Sequence, residues 1–405
     1  MQELYAISTK LINNVKTDFI RSLFEHIDWN QQLIEIRGSR GVGKTTLMIQ
    51  KAKEYYKLNS QSVLYISLDD SYFYNNSIKE TALKFSQYGG QFLFIDEVHK
   101  YPEKYKGHDW SSELKSIYDQ IPELKIVYSG SSIIQLYKGN GDLSRRKSIY
   151  KLNGLSFREY LSMNNVFHFN FLTIDEVISG HVDITNQITT DIKILPHFQN
   201  YIEYGYYPFY SENPEQYYQR IKNVVNLILE IDIPSVTDIS FETLGKIKKL
   251  LAAISSTVPF TPNLTKLSSD LNISDLRTLY KYLGFLENAE LISLLDAAAK
   301  GNKISQKPEK IFLDNTNLIY ALNQTSAKIG LIRETFFMNQ LNYLHKVNYP
   351  KFGDFIVNNN YTLEVGGKNK DSKQIKYIEN SYLALDNIEI GFGNTIPLWL
   401  FGFLY

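Results

Sequence analysis

Eight residues near the amino terminus, Gly38-Ser39-Arg40-Gly41-Val42-Gly43-Lys44-Thr45, restrict this chain more than any other stretch. Their glycines, lysine and threonine follow the spacing G-x-x-x-x-G-K-[ST], and the flanking residues say how that spacing folds. Leu33-Ile34-Glu35-Ile36-Arg37 reads as a short strand, and Thr45 to Ala52 reads as a helix with apolar residues at helical intervals. A strand turning sharply into a helix aims several backbone N–H donors at one spot, and glycines let the chain close tightly enough to do so. Such a loop holds the phosphates of a nucleoside triphosphate. Gly38, Ser39, Arg40, Gly41, Val42, Gly43, Lys44, Thr45 and Thr46 are therefore the expected phosphate-binding residues. Among them Lys44 reaches the β and γ phosphates as a point charge, and the Thr45 hydroxyl ligates Mg²⁺.

A second segment, Phe92-Leu93-Phe94-Ile95-Asp96-Glu97, reads as a buried parallel strand that ends in two carboxylates. It resembles a Walker B element. Asp96 is expected to hold Mg²⁺ opposite Thr45, and Glu97 to orient or deprotonate the attacking water. Alone, the six residues are more commonly a strand with a solvated acidic end; the preceding phosphate loop reverses this in favour of the chemical reading. Lys125 to Tyr128 reads as a further strand and runs into Ser129-Gly130-Ser131-Ser132, which resembles the sensor position of AAA-like ATPases. Ser131 is the first choice for contacting the γ-phosphate or the lytic water and Ser129 the second, although serines also suit a turn there. Gly141-Asp142-Leu143-Ser144-Arg145-Arg146 offers Arg145 and Arg146 either as an arginine finger toward a neighbouring copy in a homo-oligomer or as a basic surface. Of the seven histidines, only His99 stands near this chemistry.

Composition narrows the setting. With 405 residues the chain suggests two to four domains. Basic and acidic residues balance at 43 each, so no global field favours nucleic acid or membrane, and a nucleic-acid site would be a local patch. The absence of cysteine excludes disulfides and thiolate metal sites. No signal-like or membrane-length apolar run is present, which makes the cytoplasm the expected location.

Pattern breaks divide the chain into segments 1–160, 161–240, 241–313 and 314–405. In the first, Phe19, Leu23, Phe24 and Ile27 predict a helix, followed by strands near 33–37, 63–68, 92–95 and 125–128 with helices between them. That alternation predicts an α/β fold, a parallel sheet flanked by helices. Leu152 to Tyr160 is expected to begin as a last strand and become a helix. The second segment reads as an aromatic-rich helical lid or linker with a turn at Gly205 to Pro208. In the third, helices over Leu244–Ser255, 264–271 and Asp275–Ala289 precede strands at Glu290–Leu295 and Lys310–Leu313, with turns at Asn272 to Ser274 and Lys300 to Lys307. Three helices and a two-stranded wing make a winged-helix plan. Its third helix, with Arg277 and Lys281, suits either DNA contact or interdomain packing.

The last segment sets Glu334 on a helix, Asp354 before the strand Phe355-Ile356-Val357, Glu364 on the strand Tyr361 to Val365, and then Gly366-Gly367-Lys368. Helical Glu, strand Asp, strand Glu and Lys is the order of a PD-(D/E)xK nuclease core, whose carboxylates ligate Mg²⁺ and whose lysine helps activate water. Here Lys368 lies two residues late; strand parity keeps 364 and 368 on one face, while the glycines favour a bulge. Lys368, Lys370, Lys373 and Lys376 form either a phosphate-attracting patch or a solvated face.

Nearly the whole chain resembles a family of prokaryotic AAA-like P-loop ATPases with a winged-helix segment and a largely uncharacterised, nuclease-like C-terminal domain. The residues carrying the resemblance are Gly38–Thr45, Phe94–Glu97, Ser129–Ser132, Leu155–Tyr160, Lys310–Asp314, Gly330–Phe336 and Asp354–Lys368. It implies ATP binding and slow hydrolysis, with ATP, ADP and Mg²⁺ as ligands. The resulting expectation is a Mg²⁺-dependent ATPase controlling a C-terminal region that engages DNA or a protein partner. A nucleotide-gated binding module and a metal-dependent nuclease are the alternatives.

Overall fold

The computed structural model describes residues 1–102, 109–133, 143–237, 239–257, 263–273, 275–298, 307–323 and 328–405. Gly141, Asp142, Ser274 and the Lys300 to Gln306 turn lie outside the described residues. Contacts group the chain into two compact units, residues 1–154 with 227–239, and residues 155–226 with 240–405.

The first unit is an α/β layer built on a five-stranded parallel sheet of β1 (Leu33–Gly38), β2 (Val63–Ser67), β3 (Phe92–Asp96), β4 (Lys125–Ser131) and β5 (Ser148–Lys151), ordered β2-β3-β4-β1-β5. Near-continuous apolar runs build β1 to β4 because helices cover both faces of such a sheet. Burial is close to complete along β1 and even includes Glu35, which is held by Arg37, by Lys147 at 2.6 Å and by the Tyr128 hydroxyl at 2.6 Å.

Two expectations change here. The N-terminal helix is Gln2–Asn14, and the Phe19–Ile27 stretch holds only a helical turn at Leu23–His26. Arg21 explains the irregular chain, since its guanidinium is drawn inward to the carbonyls of Val42 (2.8 Å), Asn153 (2.8 Å) and Gly154 (2.9 Å). The last strand ends at Lys151, before Leu152–Tyr160; the Asn153 and Gly154 carbonyls face Arg21 instead of a ladder.

The second unit opens with the helix Phe157–Met163, capped by Ser156 and Glu159 in a reciprocal box. Ser156 Oγ also donates to the backbone oxygen of Tyr405 at 2.7 Å. Ser156→Ala is expected to lower stability by about 1–2 kcal/mol in urea unfolding. Helices Ile174–Asp191 and Ile194–Tyr204 follow, and later Phe241–Thr257, Leu264–Asp270 and Leu276–Asn288. An antiparallel pair, β6 (Ile292–Leu295) and β7 (Lys310–Leu313), comes next. A second sheet, β8 (Val347–Asn348), β9 (Phe355–Val357), β10 (Tyr361–Gly367), β11 (Ser381–Asp386) and β12 (Thr395–Pro397), runs in chain order. Its first three strands are antiparallel, and the last three are mutually parallel. One core joins this sheet to the early helices, because Phe157, Phe198 and Tyr201 share it with Phe336, Phe401 and Phe403.

Candidate nucleotide site

In an open parallel sheet, ligands sit beyond the carboxyl ends of the strands. The loop after β1 and the acidic pair ending β3 meet at that edge, with β4 between their strands. Gly41 (φ 88°) and Gly43 (φ 99°) occupy left-handed backbone, which turns the chain into the helix Lys44–Leu58. Lys44 is buried, and its Nζ donates to the carbonyls of Gly38 (2.8 Å) and Ser39 (3.0 Å). The ammonium thus already spans the loop.

Asp96 is the hub of the site. Its Oδ2 accepts from Thr45 Oγ1 (2.6 Å) and from the Tyr65 hydroxyl (2.8 Å); its Oδ1 accepts from the Ser129 hydroxyl and the Glu97 N–H (3.1 Å). Burial, and then the neighbouring Asp96 charge, push the Tyr65 phenol far above its ordinary range, so it remains a donor. Oxygen ligands on one carboxylate and one hydroxyl fit Mg²⁺, which takes few protein ligands and completes its octahedron with phosphate and water. Thr45 and Asp96 are therefore the residues that would hold the ion, and Lys44 with the loop amides would hold phosphate.

Glu97 takes a left-handed backbone (φ 55°), uncommon for a residue with a Cβ. Its Oε2 is buried without an aligned hydrogen bond, 3.2 Å from His99 Nε2 and 3.9 Å from Arg40 Nη2. Arg40 is engaged more closely by Asp232, through Nη2 to Oδ1 at 2.7 Å and Nε to Oδ2 at 3.3 Å. Burial pushes the Asp232 carboxyl up, but His99 and Arg40 more than offset it and hold the group well below the usual carboxylate range.

The remaining expected residues separate. Ser131 is buried at the end of β4 opposite Gly38, whereas Ser129, the second choice, is the serine that touches Asp96. Thr46 is exposed at the helix start and Arg145 is exposed, while Arg146 pairs with Asp119 at 3.1 Å. Sequence reasoning missed Tyr65 and Asp232. Tyr65 looks like another apolar strand position, and Asp232 belongs to a distant helical segment. The one signal was a carboxylate flanked on both sides by isoleucine, Ile231-Asp232-Ile233.

In the second unit, Glu334, Asp354 and Glu364 are engaged by lysines. Lys310 Nζ lies 2.7 Å from Glu334 and 3.5 Å from Asp354, and Lys370 Nζ lies 2.6 Å from the buried Glu364. Lys368 is exposed, and Lys370 has the position beside Glu364 that strand parity assigned to Lys368. The reason is a turn: Lys370 N–H donates to the Gly367 carbonyl at 2.9 Å, and the lysine folds back over the strand. A Cβ on Gly366 would stand 2.5 Å from Lys370 Cβ, so only glycine admits that path. Lys373 pairs with Asp371 at 2.7 Å, while Lys376, Arg277 and Lys281 are exposed. Among the described residues no group of three or more His, Cys, Asp or Glu side chains is arranged to hold a metal, and no helix is long and apolar enough to cross a membrane.

Residues 30–161 match the family model of an AAA domain, and residues 195–328 match that of a domain of unknown function, DUF8612. The chain matches none of the curated proteins. Among solved structures it is similar to a Walker-type ATPase of Pyrococcus abyssi, at 13% identity over 75% of this chain and 95% of that one, with a TM-score of 0.40. It is also similar to AMPPCP-bound DnaA from Aquifex aeolicus, at 16% identity over 70% and 88% of the two chains and a TM-score of 0.26. A third likeness is to the Aeropyrum pernix ORC1 protein in complex with DNA, at 10% identity over 79% and 92% and a TM-score of 0.29. Likenesses this slight say nothing of activity. Residues 30–161 thus match an AAA domain, and the glycine-rich loop after β1 lies at the edge of a parallel sheet.

Proposed function

We propose that this protein is a Mg²⁺-dependent ATPase whose nucleotide state governs how its C-terminal half engages DNA or a protein partner. The observation that carries this reading is the 2.6 Å contact between Thr45 Oγ1 and Asp96 Oδ2, with Lys44 and Glu97 beside it. Gly38 to Thr46 bind the phosphates, Lys44 holds the β and γ groups, Thr45 and Asp96 hold the ion, and Glu97 directs the attacking water. Mg²⁺, when bound, neutralises charge developing on the transferred phosphoryl group. ATP is preferred over GTP because no Asn-Lys-x-Asp guanine-reading motif follows the sheet strands. Ser129 steadies Asp96, while Ser131 is the γ-phosphate contact; Arg145 and Arg146 act only if copies assemble.

Purified protein is expected to release phosphate from ATP with Mg²⁺ and to stop when EDTA is added. Turnover that survives EDTA would contradict the reading. Tyr65→Phe removes one hydroxyl donor from Asp96 and is expected to raise the Mg²⁺ concentration for half-maximal rate about tenfold. A titration of rate against Mg²⁺ checks this.

The four sequence segments serve in this reading as ATPase domain, helical linker, winged helix and nuclease-like domain, and the setting is cytoplasmic. A change in turnover or nucleotide affinity on adding DNA at low salt favours a DNA target; no change and no binding favours a protein. Phosphodiester cleavage is the second reading. The strand directions of the C-terminal sheet and the nearby Glu334, Asp354 and Glu364 favour it, but the two lysine ammoniums already occupy those carboxylates. Plasmid left intact after long incubation with Mg²⁺ or Mn²⁺ is the expected result. Cleavage that disappears in Glu364→Ala would reverse it.

A further inference from the structure

After the helix Tyr217–Leu227 the chain makes a single π turn, Ile228–Asp232, and a helical turn, Ile233–Val236. Residues 227–239 cluster with the first unit although the sequence on both sides clusters with the second. Single π turns recur at functional positions, and this one delivers Asp232 to the phosphate loop. The carboxylate is fully buried, and with Arg40, His99 and Glu97 it makes a ring of four alternating polar groups. Asp232 Oδ1 faces Arg40 Nη2 (2.7 Å) and His99 Nε2 (3.6 Å), and the same two nitrogens face Glu97 Oε2 at 3.9 Å and 3.2 Å. Everything Asp232 holds converges on Glu97.

We infer that Asp232 is a positioning residue for hydrolysis, fixing Arg40 and His99 so that together they hold Glu97 where it directs water. Glu97 needs such support. Its left-handed backbone persists only where the surroundings over-determine it, and its buried Oε2 lacks an aligned hydrogen bond. A carboxylate that must orient water has to be held in one place, and an arginine and a histidine locked from behind face it there. Asp232 does this with a rigid two-point grip on the Arg40 guanidinium, which a lysine would not offer. Arg40 lies inside the phosphate loop, so the grip also fixes the loop wall opposite Glu97.

This inference rests on the ATPase reading, and kinetics separates the two. Wild type, Asp232→Asn, Glu97→Gln and the double variant are compared for phosphate release and for affinity toward a fluorescent ADP analogue. Asp232→Asn is expected to lower kcat about tenfold or more, as loss of an outer supporting residue does, with ADP affinity changed less than about threefold. The double variant is expected to match Glu97→Gln alone, because Asp232 acts through Glu97. His99→Asn, measured alongside, should show the same lack of additivity, and it serves if Asp232→Asn fails to fold by circular dichroism. Additive losses, or an affinity loss equal to the kcat loss, would overturn the inference. A wild type that turns over while Asp232→Asn equals it sinks this inference alone. A wild type that releases no phosphate sinks the ATPase reading and this inference with it.

Discussion

Phosphate release by Lys44→Ala and by Glu97→Gln is expected to fall at least about a hundredfold in each, the loss typical when charge stabilisation is removed from a transition state. The two variants should differ in binding. Lys44 Nζ is held over the loop by two carbonyls, so its charge is aimed before any nucleotide arrives and little ordering is needed on binding. Removing it takes away ground-state and transition-state attraction alike, and ADP affinity should fall together with the rate. Glu97 touches none of the phosphate-binding groups except Arg40, at 3.9 Å. Its glutamine variant keeps the shape, loses the charge that orients water, and should bind nucleotide at near wild-type affinity while hydrolysing slowly. Phosphate release and a fluorescent-nucleotide titration on the same preparations check both halves. Wild-type rates in both variants would remove the assignment of this site.

The stability of the first unit should depend on two buried carboxylates, Glu35 and Asp232. Burial pushes both carboxyls up, but Arg37 and Lys147 around Glu35, and His99 and Arg40 around Asp232, more than offset it. Both therefore sit below their ordinary range when folded. The unfolded chain takes up protons first as pH falls, so their contribution is complete above the unfolded values of about 4 and drains away below them. Glu35→Gln leaves the covered Lys147 ammonium and the half-buried Arg37 without their carboxylate and should cost about 3 kcal/mol or more at pH 7 in urea unfolding. By pH 3 the gap between wild type and variant should have narrowed, because wild-type Glu35 is itself losing its charge advantage. A gap of equal size at both pH values would show that the carboxylate's charge is not what stabilises the strand.

Much of the first unit was legible in the sequence. Strands β1 to β4 are built on mostly apolar runs, and the phosphate loop and acidic pair carry their chemistry in consecutive residues, so local order was enough to find them. Failures came where a distant partner overrode local pattern. Phe19 to Ile27 has helical spacing, but Arg21 turns inward to cap three carbonyls and the helix does not form. Lys368 had the right parity, yet a turn and a glycine hand its position to Lys370. Ser131 and Ser129 share a strand face, and only the pairing of β4 beside β3 selects Ser129 for Asp96.

The sequence by itself determined that this chain has a glycine-rich loop of phosphate-binding spacing and an acidic strand end, because such a loop is a local object made from neighbouring residues. Tertiary structure alone decided what surrounds them. Tyr65 reaches Asp96 from an adjacent strand, and Asp232 reaches Arg40 across 192 positions of sequence. Buried charges need partners, and the partner is chosen by which side chain the fold brings within about 3 Å, a matter on which sequence spacing is silent.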